Sequence, residues 1–275
     1  MLNRYLALVF SLSVISLWIL VGCSDDSAND SSGSSNDDSP PLRILVTNDD
    51  GFNAEGIDAI VEALLLDPAN EVTVCAPNGN RSGTSDDTNC GTLSVVDEAT
   101  ASGYPVTAID GCPADAVIYA LENLYRPGEA PDLVISGLNS GQNVSQLVAG
   151  LSGTIGAAKT AARRGIWALA ASQGKFEPDS QYDYAAGAEA VMAWLAENRD
   201  TLHRSSSEPT NITSMNIPSC KAGSIRGIRL VPLDTAEIPI GFVDPPDCES
   251  TLENPANDIE ALNNGFISRT LIPLD

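Results

Sequence analysis

The chain has 275 residues, with 14 Lys and Arg against 37 Asp and Glu, a formal net charge of −23 and a single histidine. This excess of acid argues against broad electrostatic binding to nucleic acid or anionic lipid, because either needs a basic surface. The histidine, His203, lies in a polar stretch typical of a charged helix end, which disfavours a catalytic triad, a Cys–His pair or a histidine-rich zinc site. Chemistry is therefore expected from carboxylates, hydroxyls, amides or a metal bound by oxygen.

The N-terminal segment has the pattern of an export signal. Arg4 precedes an apolar run from Tyr5 to Val21, which predicts a secretory signal peptide and leaves a single membrane anchor as the alternative. Gly22-Cys23, at the boundary of a polar tail, resembles a bacterial lipobox. We therefore expect residues 1–22 to be a lipoprotein-type signal peptide and Cys23 to carry a lipid. The chain is then an exported, membrane-anchored lipoprotein facing the periplasm or the cell exterior.

Residues 23–41 follow as a segment rich in Ser, Asp and Asn, with no apolar side chain large enough to pack. Such a composition cannot bury enough surface to fold, so a disordered tether is expected.

Residues 42–275 alternate between apolar runs and helical spacing, as one α/β domain does. Strands are predicted over 43–47, 71–76, 106–109, 132–136 and 166–170, and helices over 57–66, 113–125, 154–164 and 182–199. Weaker strand patterns follow over 212–217, 225–231 and 266–272. The expected fold is a Rossmann-like three-layer sandwich with a mostly parallel sheet and a smaller C-terminal β-rich extension.

Five cysteines remain after Cys23. Cys75 lies within a predicted strand and is expected to be a buried free thiol. The other four lie in loops and are candidates for disulfides, Cys90 with Cys112 and Cys220 with Cys248, although the sequence does not fix that pairing. Their spacing matches no zinc module.

Polar residues follow three of the predicted strands, where ligands bind in parallel α/β sheets. The first strand runs into Asn48-Asp49-Asp50-Gly51, the second into a loop with Ser82, and the strand ending at Ser136 into a loop with Asn139 and Asn143. Adjacent carboxylates raise one another's pKa unless a cation is present, and a hard divalent ion with oxygen ligands removes that cost. A tight turn with a helix cap is the alternative for Asp49-Asp50-Gly51 alone. Taken together, the three strand ends favour a metal site.

Ser152-Gly153-Thr154 opens a predicted helix. Small residues at a helix start expose N–H groups and the positive end of the dipole, which suits a phosphate. An ordinary Ser/Thr N-cap is the alternative.

At these residues the chain resembles the SurE family of metal-dependent nucleotidases and acid phosphatases. Residues 43–57 resemble the N-terminal signature of that family. The similarity continues through Ala76-Pro77, Arg81-Ser82-Gly83, Gly111 to Val117, Ser136 to Asn143, Ser152-Gly153-Thr154, Met215 to Pro218 and Gly265 to Leu274.

The resemblance implies that one divalent ion is bound by Asp49, Asp50, Ser82 and Asn139, and the all-oxygen ligand set favours Mg²⁺ or Mn²⁺. Asp49 or Asp50 is also expected to orient or deprotonate the attacking water. The expected contacts to substrate or phosphate are Asn48, Asn143, Ser152, Gly153 and Thr154.

The expected activity is the hydrolysis of phosphate monoesters by metal-activated water, with nucleoside 5′- and 3′-monophosphates as substrates. A broad acid phosphatase or exopolyphosphatase is one alternative. A lipoprotein that binds metal or nucleotide without catalysis is another. No nucleic-acid partner is expected, and the membrane is contacted only through the lipid.

The chain departs from the family pattern in places. Ser145 stands where the family often has Gly, and Leu151 replaces a frequent Tyr. The stretch between Leu230 and Gly265 is shorter than usual, and in the family it contributes a hairpin exchanged between subunits. A homodimer or homotetramer is the expected assembly.

Overall fold

A nine-stranded sheet forms the centre of the computed structural model, which describes residues 40–176, 181–204, 207–235 and 245–275. The predicted signal peptide, Cys23 and nearly all of the tether lie outside the described residues. The strands of the sheet are β1 (Leu42–Thr47), β2 (Asn70–Pro77), β3 (Val95–Ala99), β4 (Pro105–Ile109), β5 (Leu133–Ser140), β6 (Trp167–Gln173), β9 (Asn211–Ile217), β10 (Ile228–Leu230) and β11 (Ile267–Pro273). Two short strands, β7 (Lys175–Phe176) and β8 (Gln181–Tyr182), form a separate hairpin. The helices are α1 (Glu55–Leu65), α2 (Pro113–Asn123), α3 (Ser145–Leu151), α4 (Gly153–Ala162), α5 (Tyr184–Arg204) and α6 (Asp258–Asn263).

The strand order is β10-β11-β9-β6-β5-β1-β2-β4-β3. The six strands from β9 to β4 in this order are parallel, whereas β3 runs antiparallel to β4 and β11 antiparallel to β9. The predicted α/β fold with a mostly parallel sheet and C-terminal strands is thereby confirmed.

Alternating side chains of β1 divide the core between the two faces of the sheet. Ile44 and Val46 belong to the apolar cluster that includes side chains of α1 and α5, and Leu45 belongs to the cluster of α2 and α4. Because both faces are covered by helices, the central strands read as continuous apolar runs, and the three layers follow.

The helix α4 lies very close to its neighbours because it is rich in Ala and Gly. A Cβ on Gly156 would overlap the backbone oxygen of Ser85, so the loop after β2 packs directly on this helix. This contact fixes the start of α4 near the ends of β1 and β2.

Both candidate disulfides form, Cys90 with Cys112 and Cys220 with Cys248, and Cys75 is a buried free thiol as expected. His203 lies in the last turn of α5, as its polar surroundings predicted. Among the residues that the structure describes, no helix combines the length and the apolar character needed to cross a bilayer.

Candidate active site

The loops after β1, β2 and β5 meet at one edge of the sheet and border a cavity of about 300 Å³. Five of the predicted site residues line it, and Asn48, Asp50, Gly153 and Thr154 do not. The lining residues are Asp49, Ser82, Gly83, Asn139, Ser140, Gly141, Gln142, Asn143, Val144, Ser145, Val148, Leu151, Ser152, Lys175, Tyr182 and Ile259. The sheet therefore brings together polar side chains that are far apart in the sequence.

Asp49 is a buried carboxylate that lines this cavity, with 3% of its surface exposed. The Thr154 hydroxyl donates to Oδ1 at 2.8 Å, and the Thr154 N–H donates to Oδ2 at 3.1 Å. Burial raises the pKa of Asp49 to about 6; the charge of Asp50 adds to the shift and the hydrogen bonds from Thr154 oppose it. A cation beside Asp49 would remove this cost of ionisation.

Gly153 is required because the side chain of Asp49 packs against it. A Cβ at this position would lie 2.9 Å from the Asp49 Cβ. The first turn of α4 can thus approach the carboxylate, and the positive end of the helix dipole stabilises the negative charge.

Asp50 is half-buried and is not among the residues that line the cavity. It accepts hydrogen bonds from the N–H of Ser140 at 2.8 Å and from the side chain of Asn80 at 3.3 Å.

Asn48 closes the turn after β1, since its side chain donates to the backbone oxygen of Gly51 and accepts from the N–H of Gly51. Gly51 has a positive φ of 105°, which is why the turn needs a glycine. The structure therefore gives Asn48 a structural role, and its contact with substrate stays a prediction.

Ser82 is exposed and lies in the loop after β2, which is tied to the site at several points. The N–H of Arg81 donates to the backbone oxygen of Asp49 at 2.7 Å, and the Arg81 guanidinium forms an ion pair with Asp110 at 2.7 Å. Farther along, the Cys90–Cys112 disulfide fastens the same loop to the start of α2. These ties fix the position of the Ser82 hydroxyl relative to Asp49.

Two asparagines complete the polar side of the cavity. The amide nitrogen of Asn139 donates to the oxygen of Gly141 at 2.6 Å, so the amide oxygen is the atom left to bind a cation. Asn143 is held by donation from its side chain to the hydroxyls of Ser172 at 2.9 Å and Thr154 at 3.3 Å.

Ser152 acts as the N-cap of α4, because its hydroxyl accepts from the N–H of Ile155 at 3.2 Å. Ser152 is therefore an ordinary helix N-cap, which was the alternative to a phosphate site. The residue also lines the cavity, so its contact with phosphate stays a prediction. Both hydrogen-bond donors of Thr154 are directed to Asp49, so direct binding of phosphate by Thr154 stays a prediction.

Several residues of the site had no role in the sequence prediction. The hydroxyls of Ser140 and Tyr184 share a hydrogen bond of 2.7 Å beside Asp50. Asp258 is fully buried and accepts a hydrogen bond of 2.8 Å from the N–H of Ser145, 113 residues away. Ser145 has a φ of 65°, a conformation that favours glycine. The frequent Gly of the family at this position was the one signal available from sequence.

The donor set at the strand ends fits a hard divalent cation, since carboxylate, amide and hydroxyl oxygens are the ligands that Mg²⁺ and Mn²⁺ prefer. Cys90, Cys112 and Asp115 also lie together, with their potential ligand atoms within 4.8 Å of one another. The two sulfurs of that group are joined in a disulfide, so it lacks the thiolates that a metal would need.

The chain is similar to known proteins over most of its length. The family model described as Survival protein SurE matches residues 44–238. The 5′-nucleotidase SurE of Archaeoglobus fulgidus is 33% identical over 249 residues, which cover 85% of this chain and 92% of that protein. The 5′/3′-nucleotidase SurE of Edwardsiella ictaluri is 32% identical over 248 residues, covering 85% and 91%. The crystal structure of the Sure protein from Aquifex aeolicus is similar with a TM-score of 0.66 and 25% identity, over 85% of this chain and 94% of that one.

Proposed function

The chain belongs to the SurE family and is a phosphoric monoester hydrolase, and we propose that it hydrolyses nucleoside 5′- and 3′-monophosphates with one divalent cation. The observation that carries this proposal is the convergence of Asp49, Ser82 and Asn139 on one cavity at the ends of β1, β2 and β5. Relatives named 5′-nucleotidase and 5′/3′-nucleotidase support the substrate class.

Four side chains would hold the cation, namely Asp49, Asp50, Ser82 and Asn139. Asp49 lines the cavity, and Asp50 lies next to it in the same turn. The ion, when bound, supplies positive charge that offsets the charge of the phosphate and polarises a water molecule. Mg²⁺ or Mn²⁺ suits this oxygen-rich donor set.

Side chains and backbone groups at the site would orient the attacking water and the phosphoryl group. Of the two adjacent carboxylates, only Asp49 is among the cavity-lining residues, which supports a role for it in orienting the attacking water and accepting its proton. The first turn of α4 points its positive end at the same place and would stabilise negative charge that develops on the phosphoryl oxygens. Ser152 borders that space, and its hydroxyl would donate to one of those oxygens. Asn143 borders it as well, but its amide N–H groups already donate to Ser172 and Thr154, so it would keep the cavity in shape.

Release of phosphate from AMP by a protein lacking residues 1–39 tests the proposal. We expect turnover with Mg²⁺ or Mn²⁺, loss of turnover after EDTA treatment, and recovery when the ion is restored. Full activity of Asp50→Asn, or full activity in EDTA, would contradict it. Faster turnover of polyphosphate than of AMP would favour the acid phosphatase alternative, and calorimetric binding of AMP without turnover would favour a binding protein.

We also propose that the chain is exported and anchored through a lipid on Cys23. The two disulfides of the folded part support this, because such bonds persist in oxidising compartments. Metabolic labelling with a radioactive fatty acid tests it. Wild-type protein should carry label and sediment with membranes, whereas Cys23→Ser should carry none.

We further propose that the folded part forms a homodimer or homotetramer. Exposed apolar side chains support self-association, since Leu230 on β10 and Leu271 on β11 expose 62% and 51% of their surface. Light scattering after gel filtration measures the assembly, and a monomer at micromolar concentration would contradict the proposal.

A further inference from the structure

Two hydroxyl groups meet at the end of β5. Ser140, the last residue of this strand, borders the active-site cavity, whereas Tyr184, the first residue of α5, does not. Their hydroxyl oxygens are 2.7 Å apart. Because Asn139 directly precedes Ser140, the pair lies next to the side chains that would bind the cation.

The backbone of Ser140 is fixed on both sides. Its N–H donates to Oδ2 of Asp50 at 2.8 Å. On the other side, Ser140 pairs with Gln173 of β6, and the N–H of Gly141 donates to the oxygen of Gln173 at 2.9 Å. The Ser140 side chain therefore starts from a fixed point between the turn after β1 and β6.

The ring of Tyr184 is held in place from two directions. It stacks on the ring of Tyr182, with the ring centroids 5.4 Å apart. On α1, the lack of a side chain at Gly56 makes room for it, since a Cβ there would lie 3.0 Å from Cε1 of Tyr184. The hydroxyl oxygen of Tyr184 consequently stays next to Ser140.

The burial of Tyr184 makes it the donor in this hydrogen bond. A tyrosine hydroxyl keeps its proton at neutral pH, and a buried O–H group without an acceptor is costly. Tyr184 exposes 7% of its surface, and within the described part of the chain its hydroxyl has one hydrogen-bond partner, the hydroxyl of Ser140. If Tyr184 donates, the proton of Ser140 is available to a group in the cavity that Ser140 borders.

A free O–H group beside a divalent cation suits an anionic oxygen. The phosphoryl group of a monoester carries negative charge on oxygens that the cation and its surroundings must bind. A hydrogen bond to an ionised acceptor is roughly twice as strong as one between neutral groups. The phosphoryl group is therefore the part of the substrate that gains most from this donor.

We propose that the Ser140 hydroxyl binds a phosphoryl oxygen of the substrate and that Tyr184 is the positioning residue that orients this hydroxyl. This inference rests on the proposed function and adds to it a phosphate contact from the end of β5. The contact is made by a side chain outside the cation's four proposed ligands, so phosphate binding and metal binding can be measured separately.

Calorimetry with inorganic phosphate, in the presence of Mn²⁺, tests the contact. We expect Ser140→Ala to bind phosphate about tenfold more weakly, since a hydrogen bond to a charged group contributes this much. Tyr184→Phe keeps the Ser140 hydroxyl but loses its orientation, so affinity should fall by about threefold. The double variant should bind as Ser140→Ala does, because Tyr184 acts only through Ser140. Additive losses, wild-type affinity in Ser140→Ala, or a wild type that binds no phosphate would each overturn the proposal.

A matched control and a metal titration exclude a merely structural effect. Tyr104→Phe also removes a tyrosine hydroxyl, which donates to the backbone oxygen of Val72 at 2.7 Å, and Tyr104 does not line the cavity. It should keep the wild-type affinity for phosphate. Without phosphate, Mn²⁺ affinity should be unchanged in Ser140→Ala, because the backbone N–H that binds Asp50 remains. A fall in Mn²⁺ affinity as large as the fall in phosphate affinity would overturn the proposal.

Turnover of AMP separates this inference from the proposed function. The phosphoryl oxygens are charged before and during the reaction, so the loss in Ser140→Ala should appear mainly in KM and little in kcat. A fall in kcat with unchanged KM would assign the hydroxyl to the attacking water and overturn the proposal. If the wild type turns over no monoester, the proposed function fails, and the expected pattern of phosphate binding still supports the contact with Ser140.

Discussion

Thr154 donates two hydrogen bonds to Asp49, although the two residues are 105 positions apart in the sequence. Its hydroxyl and its backbone N–H reach different oxygens of the same carboxylate, at 2.8 and 3.1 Å. Both oxygens of Asp49 are therefore oriented by the first turn of α4. A buried carboxylate held in this way has little freedom to rotate, so its remaining lone pairs are directed into the cavity.

Removing the hydroxyl of Thr154 should weaken metal binding. Thr154→Val keeps the shape and the backbone N–H but leaves Oδ1 of Asp49 without its partner. We expect Mn²⁺ affinity and kcat/KM to fall by about 10- to 100-fold, the usual effect of losing a group that orients a metal ligand. Calorimetric titration with Mn²⁺ measures the first effect. Thr160→Val, at another buried threonine of α4, serves as the control and should bind Mn²⁺ as the wild type does.

Asp49 should destabilise the metal-free protein at neutral pH. Its pKa is raised from 3.8 to about 6, so the native state holds this proton more tightly than the unfolded state. The free energy of unfolding therefore falls as the pH rises from about 4 to about 6, and the loss is complete above that range. Asp49→Asn removes the charge, so in EDTA at about pH 8 the variant should be more stable by about 1 to 3 kcal/mol.

Urea denaturation at two pH values checks this sign. The difference between variant and wild type should be small at about pH 4, where Asp49 is protonated in the native state and only about half ionised in the unfolded state, and largest at about pH 8. A wild type that is more stable than Asp49→Asn at the higher pH would show that the carboxylate is not destabilised by burial.

The polar residues of the site were predictable because parallel strands end at one edge of the sheet. Asp49 and Ser82 each follow a strand with a clear apolar pattern, and Asn139 lies near the end of another, so their convergence follows from the fold class. The strand predicted to end at Ser136 continues to Ser140 as β5, so Asn139 lies in the strand and not in the predicted loop. The apolar residues that border the cavity, Val148, Leu151 and Ile259, were not predictable. The helices α3 and α6 have seven and six residues, too few for a helical period to be distinguished from a loop.

The contact between Asp258 and Ser145 could not be predicted from the sequence either. It joins residues 113 positions apart through a backbone N–H. Every residue except proline carries such a group, so no side-chain pattern marks the partner of Asp258.

The strand β3 could not be predicted for a different reason. It is exposed along its whole length and has no alternation of polar and apolar residues that would mark it as a strand.

Mn²⁺ should stabilise the folded state, and more strongly above the pKa of Asp49. An ion that binds only the native state adds about 2.7 kcal/mol at a concentration of 100 times Kd. Below about pH 6 the ion must displace a proton from Asp49, so the gain shrinks. Thermal unfolding at about pH 5 and pH 8, with and without Mn²⁺, measures both effects. The gain in stability should be lost in Asp50→Asn. The control Glu62→Gln, which changes an exposed acid on α1, should retain it. An equal gain in the wild type and both variants would show that the ion binds elsewhere.

The Cys90–Cys112 disulfide should contribute to metal binding as well as to stability. It closes a segment with a sequence separation of 22 and fastens the loop that carries Ser82 to the start of α2. Replacing both cysteines by serine should lower the free energy of unfolding by about 3 kcal/mol, as expected for a loop of this size. Because the loop then has more freedom, Mn²⁺ affinity should also fall, by about tenfold.

The second disulfide provides the matched control. Cys220 and Cys248 are separated by 28 residues and do not line the cavity. The double serine variant at these positions should lose a similar amount of stability, about 3 kcal/mol, since the loops are of similar length. Its Mn²⁺ affinity should equal that of the wild type. If both double variants lose the same affinity for Mn²⁺, the effect comes from lower overall stability, and the Cys90–Cys112 bond has no particular role in holding Ser82 in place.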